Sequence, residues 1–311
     1  MPTARERAVY LNGRFVPESD AKISVFDRCF NWGDGVYDAD RTFGGKVCKM
    51  WEHVERLYRS LNYMRIDVGI AKQEFYKIVL RCVELNAPLL GPDDDYLVRI
   101  QVSRGNIAEG GSLQERTPPI PTVAICCLPL AFGSFAKFYR QGVQLVTPAT
   151  RRTPPQAVSP KAKISGKANH FIAAFEAKQV HAEAISLMLD LNGYITESTA
   201  ANCLFVSNKT LWVPNREGVL NGITMLTVIE LAQQMGIPVK EGDYTPFDVY
   251  NADEGFLTAS SFSILPAASL NGVRIGPEVP GPVTKALLVA WSELVKVDIV
   301  AQAERRAGLR S

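Results

Sequence analysis

Three short asparagine turns punctuate the second half of this chain: Asn192-Gly193, Ser207-Asn208-Lys209 and Asn271-Gly272, each flanked by alternating apolar residues. Asparagine and glycine accept the positive φ of a two-residue hairpin turn, and apolar alternation at period two gives a strand one buried face. The pattern therefore predicts antiparallel hairpins with helices between them. One such helix opens at Gly222-Ile223-Thr224, runs to Met235, and is closed by Gly236 and Pro238.

The first half reads differently. Residues 9–16 form a predicted hairpin around Asn12-Gly13, followed by helices over 52–64 and 72–85. The second of these carries Phe75, Ile78, Val79, Cys82 and Val83 at i, i+3, i+4, i+7 and i+8, a core-facing stripe. Residues 96–102 and 122–128 read as strands, and the glycine-rich stretch 104–111 between them as a functional loop. Residues 130–135 break both periodicities, so the expected organisation is a small N-terminal domain over 1–129, a linker over 130–141 and a larger domain over 142–311. A strand over 142–147 and a helix over 168–179 complete the reading. The fold class expected is α+β, with mixed α/β elements.

At 311 residues, 47% apolar and 21% charged, the chain can bury two ordinary cores. A net charge of +2 with bases scattered among acids excludes a dedicated nucleic-acid surface. No apolar run approaches the roughly 18–20 residues of a membrane helix, and the polar start lacks a signal-type core. Six cysteines show no zinc or CxxC spacing, which predicts buried thiols in a reducing cytoplasm. The three histidines, 53, 170 and 181, are too scattered for a metal site or a triad, and dinucleotide and Walker fingerprints are missing.

The chemistry-bearing candidates begin with Lys163, in Ser159-Pro160-Lys161-Ala162-Lys163, and Glu197, thirty-four residues on in Asn192-Gly193-Tyr194-Ile195-Thr196-Glu197. A lysine amine can hold pyridoxal phosphate as a Schiff base, and a carboxylate can keep the pyridine nitrogen protonated. Lys163 precedes an apolar helix (Phe171, Ile172, Ala173, Ala174, Phe175), and burial there would lower its pKa. Lys161 and Lys167 stand as equals on this chemistry alone. Gly222-Ile223-Thr224 presents helix-start N–H groups and a hydroxyl to an anion, and Thr258-Ala259-Ser260-Ser261 adds hydroxyls for a phosphate cup. Arg56, in Glu52-His53-Val54-Glu55-Arg56-Leu57, is a fork suited to phosphate.

Six motifs together resemble the class IV aminotransferases of pyridoxal phosphate fold type IV: Ser24-Val25-Phe26-Asp27-Arg28, Gly33-Asp34-Gly35-Val36-Tyr37-Asp38, residues 52–57, residues 192–197, Leu220-Asn221-Gly222-Ile223-Thr224, and Gly281-Pro282-Val283-Thr284-Lys285. The family includes branched-chain and D-amino acid aminotransferases, R-selective amine transaminases and aminodeoxychorismate lyase. The resemblance implies a smaller N-terminal α/β domain, a larger hairpin-rich domain, pyridoxal 5'-phosphate as cofactor, and a homodimer. It selects Lys163 as the Schiff-base lysine, with Glu176-Ala177 thirteen residues later, and leaves Lys167 as runner-up. By the same matching Arg56, Ile223, Thr224 and Ser260 hold the phosphate and Glu197 the pyridine nitrogen.

The implied reaction is ping-pong transamination between an amino acid or primary amine, with a hydrophobic donor favoured, and a 2-oxo acid. The implied substrate pocket comprises Trp32, Tyr37, Arg99, Arg104, Ser261 and Phe262, with Arg41 as a further anion partner. Tyr96-Leu97-Val98-Arg99 resembles the branched-chain enzymes' Tyr-x-Arg with one residue inserted or the tyrosine shifted, and Trp32 stands where they carry Tyr. Phe262 stands where they have small alanines, which argues against a close backbone approach by a carboxylate. The loop 105–111 lacks the Pro-Arg-x-His pattern of D-amino acid aminotransferases. An aminodeoxychorismate-type lyase is the rival reaction, D-amino acid or R-selective amine transamination the rival specificity, and a non-catalytic binding module the rival class.

Overall fold

The computed structural model describes residues 6–107 and 119–309. The chain forms two compact units, Met1–Leu130 with Ala162–Lys167, and Ala131–Lys161 with Ala168–Ser311.

The first unit is built on a six-stranded sheet. Its elements are β1 (Ala8–Leu11), β2 (Arg14–Pro17), α1 (Arg28–Trp32), β3 (Gly35–Phe43), β4 (Lys46–Val47), α2 (Met50–Met64), α3 (Lys72–Asn86), β5 (Tyr96–Ser103) and β6 (Thr122–Pro129). The strands lie in the order β2-β1-β6-β5-β3-β4, every neighbouring pair antiparallel. The predicted hairpin turns at Asn12-Gly13, with φ of 47° and 93° as the tight turn requires. Alternate residues of the sheet, among them Val98, Ile100, Val102, Val123 and Ile125, join Val54, Leu57, Leu61, Phe75 and Val79 from α2 and α3 in one core. Each such side chain contributes about 1.5–3 kcal/mol by leaving water.

Two residues of β3 break the apolar rule on that buried face. Asp38 and Asp40 alternate with Tyr37 and Ala39 and are 0% and 4% exposed. The buried stripe of α2 is likewise interrupted by His53, Arg56 and Ser60. Burying a polar group is costly unless its hydrogen bonds are made, and Asp38 on β3 meets His53 and Arg56 on α2.

The second unit contains α4 (Ala136–Gln141), β7 (Val143–Val146), α5 (Ala168–Val180), β8 (Ile185–Ser186), β9 (Asn202–Ser207), β10 (Thr210–Pro214), α6 (Ile223–Gln234), β11 (Val239–Gly242), α7 (Pro246–Tyr250), β12 (Glu254–Ala259), β13 (Ser263–Leu270), β14 (Val273–Arg274), α8 (Pro282–Val295) and α9 (Ile299–Arg306). Its sheet runs β11-β10-β9-β12-β13-β7-β8, with β14 paired to β13. The hairpins β9–β10, β12–β13 and β13–β14 are antiparallel, while β7 and β11 join in parallel. Asn208-Lys209 and Asn271-Gly272 turn with positive φ at both residues, as predicted.

Three expectations need correction. Residues 130–141 are not a linker: Phe132–Phe135 is a 3-10 turn and α4 follows directly, both inside the second unit. A segment this short completes too few turns to display a helical period. The stretch Ala162–Lys167 leaves the second unit's sequence and belongs to the first. Finally, α5 is inverted: its large apolar residues Phe171, Ile172 and Phe175 are 58%, 51% and 67% exposed, while His170, Ala173 and Ala177 are buried. The helix expected to bury its large apolar residues buries its small ones instead.

Candidate active site

In the first unit Lys163 is fixed at its root. Val36 and Ile164 form an antiparallel bridge on the edge of β3. The Tyr37 N–H donates to the Lys163 carbonyl over 3.0 Å, and the Ser165 N–H donates to the Gly35 carbonyl over 2.9 Å. Ile164 packs against the core, so by strand alternation Lys163 and Ser165 face the other side. On that side Lys163 Nζ lies over the Tyr37 ring at 4.7 Å from its centroid, and the Arg99 guanidinium lies over the same ring at 5.6 Å. Gln101 donates to Ser165 Oγ over 2.7 Å. Gly35 is glycine for a steric reason: a Cβ there would sit 2.5 Å from the Val102 carbonyl oxygen.

On the opposite face of β3, Arg56 grips Asp38 with both ends of its fork, Nε to Oδ2 at 2.9 Å and Nη2 to Oδ1 at 2.8 Å. His53 Nδ1 meets Asp38 Oδ1 at 2.7 Å. Burial would raise the Asp38 carboxyl, but the Arg56 and His53 charges and hydrogen bonds overcome it and hold it far below the usual carboxylate range. Asp40 lies against His53 Nε2 at 3.5 Å, and burial pushes it up to about 6.

Several first-unit candidates have other work. Arg104 donates to Asp34 over 2.8 Å and to the carbonyls of Met64 and Arg65 at the end of α2, over 2.7 and 3.0 Å. It is a helix C-cap, not the expected substrate-anion partner. Arg41 is 1% exposed and bound to Asp95 at 3.2 Å, with its guanidinium 4.4 Å from the Phe43 ring centroid, which removes it from the pocket as well. Trp32 is half exposed beneath the Arg28 guanidinium, 5.3 Å from its ring centroid. Of the predicted loop, residues 108–111 lie outside the described residues.

In the second unit Glu197 is buried and gathers three donors. Arg152 Nε donates to Oε1 over 2.9 Å, the Leu220 N–H donates to Oε2 over 2.9 Å, and His170 Nε2 lies 3.5 Å from Oε1. Burial alone would raise its pKa, yet the His170 hydrogen bond and the Arg152 charge win, and the group is held below the ordinary glutamate value. A carboxylate that stays ionised suits a partner that must remain protonated. Sequence reasoning missed Arg152 and His170. They lie forty-five and twenty-seven residues away in the chain, and no local spacing announces them.

The start of α6 has no side-chain cap, and Gly222, Ile223 and Thr224 open it, the last two buried. A Cβ on Gly222 would lie 2.1 Å from Asn202 Oδ1. Asn202 pairs in register with Thr258 on β12, whose buried hydroxyl has no hydrogen-bond partner among the described residues. Uncapped helix N–H groups beside an orphaned hydroxyl suit a phosphate, so these residues fit a phosphate-bearing cofactor. Ser260 and Ser261 occupy the turn from β12 to β13. The Phe262 ring, however, is buried against Phe135 at 5.3 Å and its carbonyl accepts the Tyr139 hydroxyl at 2.7 Å. It therefore does not obstruct that turn as expected. Lys161, a rival lysine, is exposed and paired with Glu217 at 2.7 Å.

The comparisons with known proteins bear on the family and the fold. The model of the family described as amino-transferase class IV matches residues 35–270. A Methanocaldococcus jannaschii protein provisionally named a branched-chain-amino-acid aminotransferase is 33% identical over 287 residues, 92% of this chain and 96% of its own. The D-alanine aminotransferase of Bacillus licheniformis is 27% identical, covering 91% and 95%. Among solved structures, the branched-chain aminotransferase of Escherichia coli superposes with a TM-score of 0.84 at 26% identity, covering 93% of this chain and 95% of that one. With motifs, fold and whole-length relatives in agreement, the chain belongs to the class IV aminotransferases.

Proposed function

We propose that this chain moves an amino group between an amino acid with an apolar side chain and a 2-oxo acid in a ping-pong cycle, with pyridoxal 5'-phosphate held on Lys163. The observation that carries this reading is the cluster on one face of β3, where Lys163 Nζ and the Arg99 guanidinium share the Tyr37 ring. An amine base and a cation for a carboxylate are the two groups an amino-acid substrate needs, and a simple amine would leave the cation unused.

When bound, pyridoxal phosphate supplies an electron sink for the charge left at the substrate α-carbon. Lys163 Nζ takes the α-proton. Glu197, kept ionised by Arg152 and His170, would hold the proton on the pyridine nitrogen. By the family matching, Arg56, Ile223, Thr224 and Ser260 would hold the phosphate, Arg99 would take the substrate carboxylate, and Trp32, Tyr37 and Ser261 would meet the substrate side chain. Relatives named branched-chain aminotransferases support an apolar donor.

A second copy of the chain is the expected partner. Phe171, Ile172 and Phe175 on α5, and Val25, Phe26 and Phe30 in the first unit, are too exposed for an isolated soluble surface. The six free cysteines support a reducing cytoplasm.

The test is a half-reaction screen in which the yellow lysine-bound form is mixed with L-amino acids, D-amino acids and R-amines, and bleaching is followed. Bleaching by leucine, isoleucine or valine is the expected result. Bleaching by R-amines alone would overturn the role of Arg99, and pyruvate released without an amino acceptor would overturn transamination.

A further inference from the structure

We infer that Ser60 is a positioning residue for the cofactor lysine, an inference that rests on the assignment of Lys163. Ser60 is 0% exposed on the core-facing stripe of α2, where apolar neighbours would favour alanine. Its hydroxyl nevertheless makes two hydrogen bonds. Oγ donates to the Arg56 carbonyl over 2.9 Å and accepts the Lys163 N–H over 3.0 Å.

The second bond is the informative one. A serine bonded back to the carbonyl four residues earlier gains nothing for its helix, so the hydroxyl is explained by what it does outside the helix. Lys163 lies in an irregular stretch whose one ladder contact among the described residues is the Val36–Ile164 bridge. Its part-buried N–H is not taken up by a sheet ladder, and Ser60 is its partner. On the other side of the same residue, the Lys163 carbonyl accepts the Tyr37 N–H. The peptide planes before and after the Lys163 Cα are thus each pinned, one to α2 and one to β3.

A lysine that lets go of its cofactor in every turnover must return a flexible four-carbon arm to the same atom. With the root fixed from both sides, and the ammonium resting over Tyr37, the arm has few places to go. Freeing one side widens the search. Ser60 also ties the Lys163 main chain to the turn of α2 that carries Arg56, the arginine proposed for the phosphate.

The test compares Ser60→Ala with the wild type. Apoprotein is mixed with pyridoxal 5'-phosphate, the yellow absorbance is followed, and borohydride reduction with peptide mapping locates the adduct. Condensation should slow about tenfold in Ser60→Ala, and kcat should fall similarly while KM for the amino donor stays within about twofold. Ser60→Thr, which keeps the hydroxyl, should restore the rate. Alanine is the better helix former, so a role confined to helix stability would leave the condensation rate unchanged. Condensation at the wild-type rate in Ser60→Ala overturns the inference. A wild-type adduct that is absent from Lys163 overturns the lysine assignment first, and peptide mapping tells the two failures apart. Should Ser60→Ala not fold, amide exchange at Lys163 in the wild type decides: strong protection upholds the bond, and exchange at the free-peptide rate overturns it.

Discussion

Arg152 donates its Nε–H to Oε1 of Glu197 over 2.9 Å, with both side chains buried. Removing the cation leaves a buried carboxylate with less to offset its desolvation, so its pKa must rise. Glu197 now sits below the ordinary value, and its contribution to stability is present above the unfolded pKa and lost as pH falls through the folded one. Arg152→Gln should therefore move the acid limb of kcat to higher pH and bring acid unfolding on earlier. Breaking such a pair costs about 3–5 kcal/mol. A pH profile and an acid melt check both expectations.

The pairing of Arg56 with Asp38 makes a separate prediction. Asp38 fixes the guanidinium through two bonds, and Asp38→Asn keeps the shape while removing the charge. If the fork is aimed at phosphate, the variant should lose about tenfold in affinity for pyridoxal 5'-phosphate, a charge-assisted contact being worth about 1.5–3 kcal/mol. Affinity for pyridoxal, which lacks the phosphate, should hardly change. Equal losses for both ligands would make Asp38 a general structural residue.

Local chemistry made much of the fold legible. Asn12-Gly13, Asn208-Lys209 and Asn271-Gly272 turn where the sequence says they should, because positive φ is a property of the turn residues themselves. Likewise α3 begins at Lys72 as its apolar stripe predicts. What α5 buries was not legible, since its spacing sets a face but not which face meets a neighbour. The pocket was harder still. Arg104 is an arginine near other site residues in sequence, yet its donors close the end of α2. Glu197 was visible at the end of its motif, while Arg152 and His170 reach it only through tertiary folding. Ser60 looked like one more polar residue in a helix until the Lys163 N–H arrived from over a hundred residues away.

Gly222 tests the start of α6. An added methyl would lie 2.1 Å from Asn202 Oδ1, and Asn202 is not free to swing because its Nδ2 donates to the Leu220 carbonyl over 2.8 Å. Gly222→Ala should destabilise by about 1–3 kcal/mol through overpacking. It should also weaken cofactor binding, because Leu220 in turn donates its N–H to Glu197. A thermal melt with and without cofactor separates the two effects.

The outward-facing α5 carries the prediction about assembly. Phe171→Lys with Phe175→Lys should leave the fold intact, since neither ring is buried in this chain. If a second copy covers them, two buried cations in that interface would shift the protein toward monomer by several kcal/mol. Sedimentation against concentration reads the change. An unaltered oligomeric state would place the partner surface elsewhere.

The last prediction comes from Asp40, whose sign is opposite to that of Glu197. Asp40 is almost fully buried, its Oδ2 has no hydrogen-bond partner among the described residues, and burial pushes its pKa up to about 6. Asp38 and the Cys48 main chain also face it, while His53 supplies the opposing positive field. A raised carboxyl binds its proton more tightly folded than unfolded. Between about pH 4 and pH 6 this group therefore lowers stability as pH rises, and above that window the full cost is present, on the order of 2–3 kcal/mol. Asp40→Asn removes the ionisation and keeps the size and the acceptor that takes the Arg41 N–H. The variant should melt higher than the wild type at pH 7.5 and lose that advantage by pH 4.5. The same gain at both values would trace the effect to packing, and a loss at pH 7.5 would mean that the charge pairing with His53 outweighs the burial.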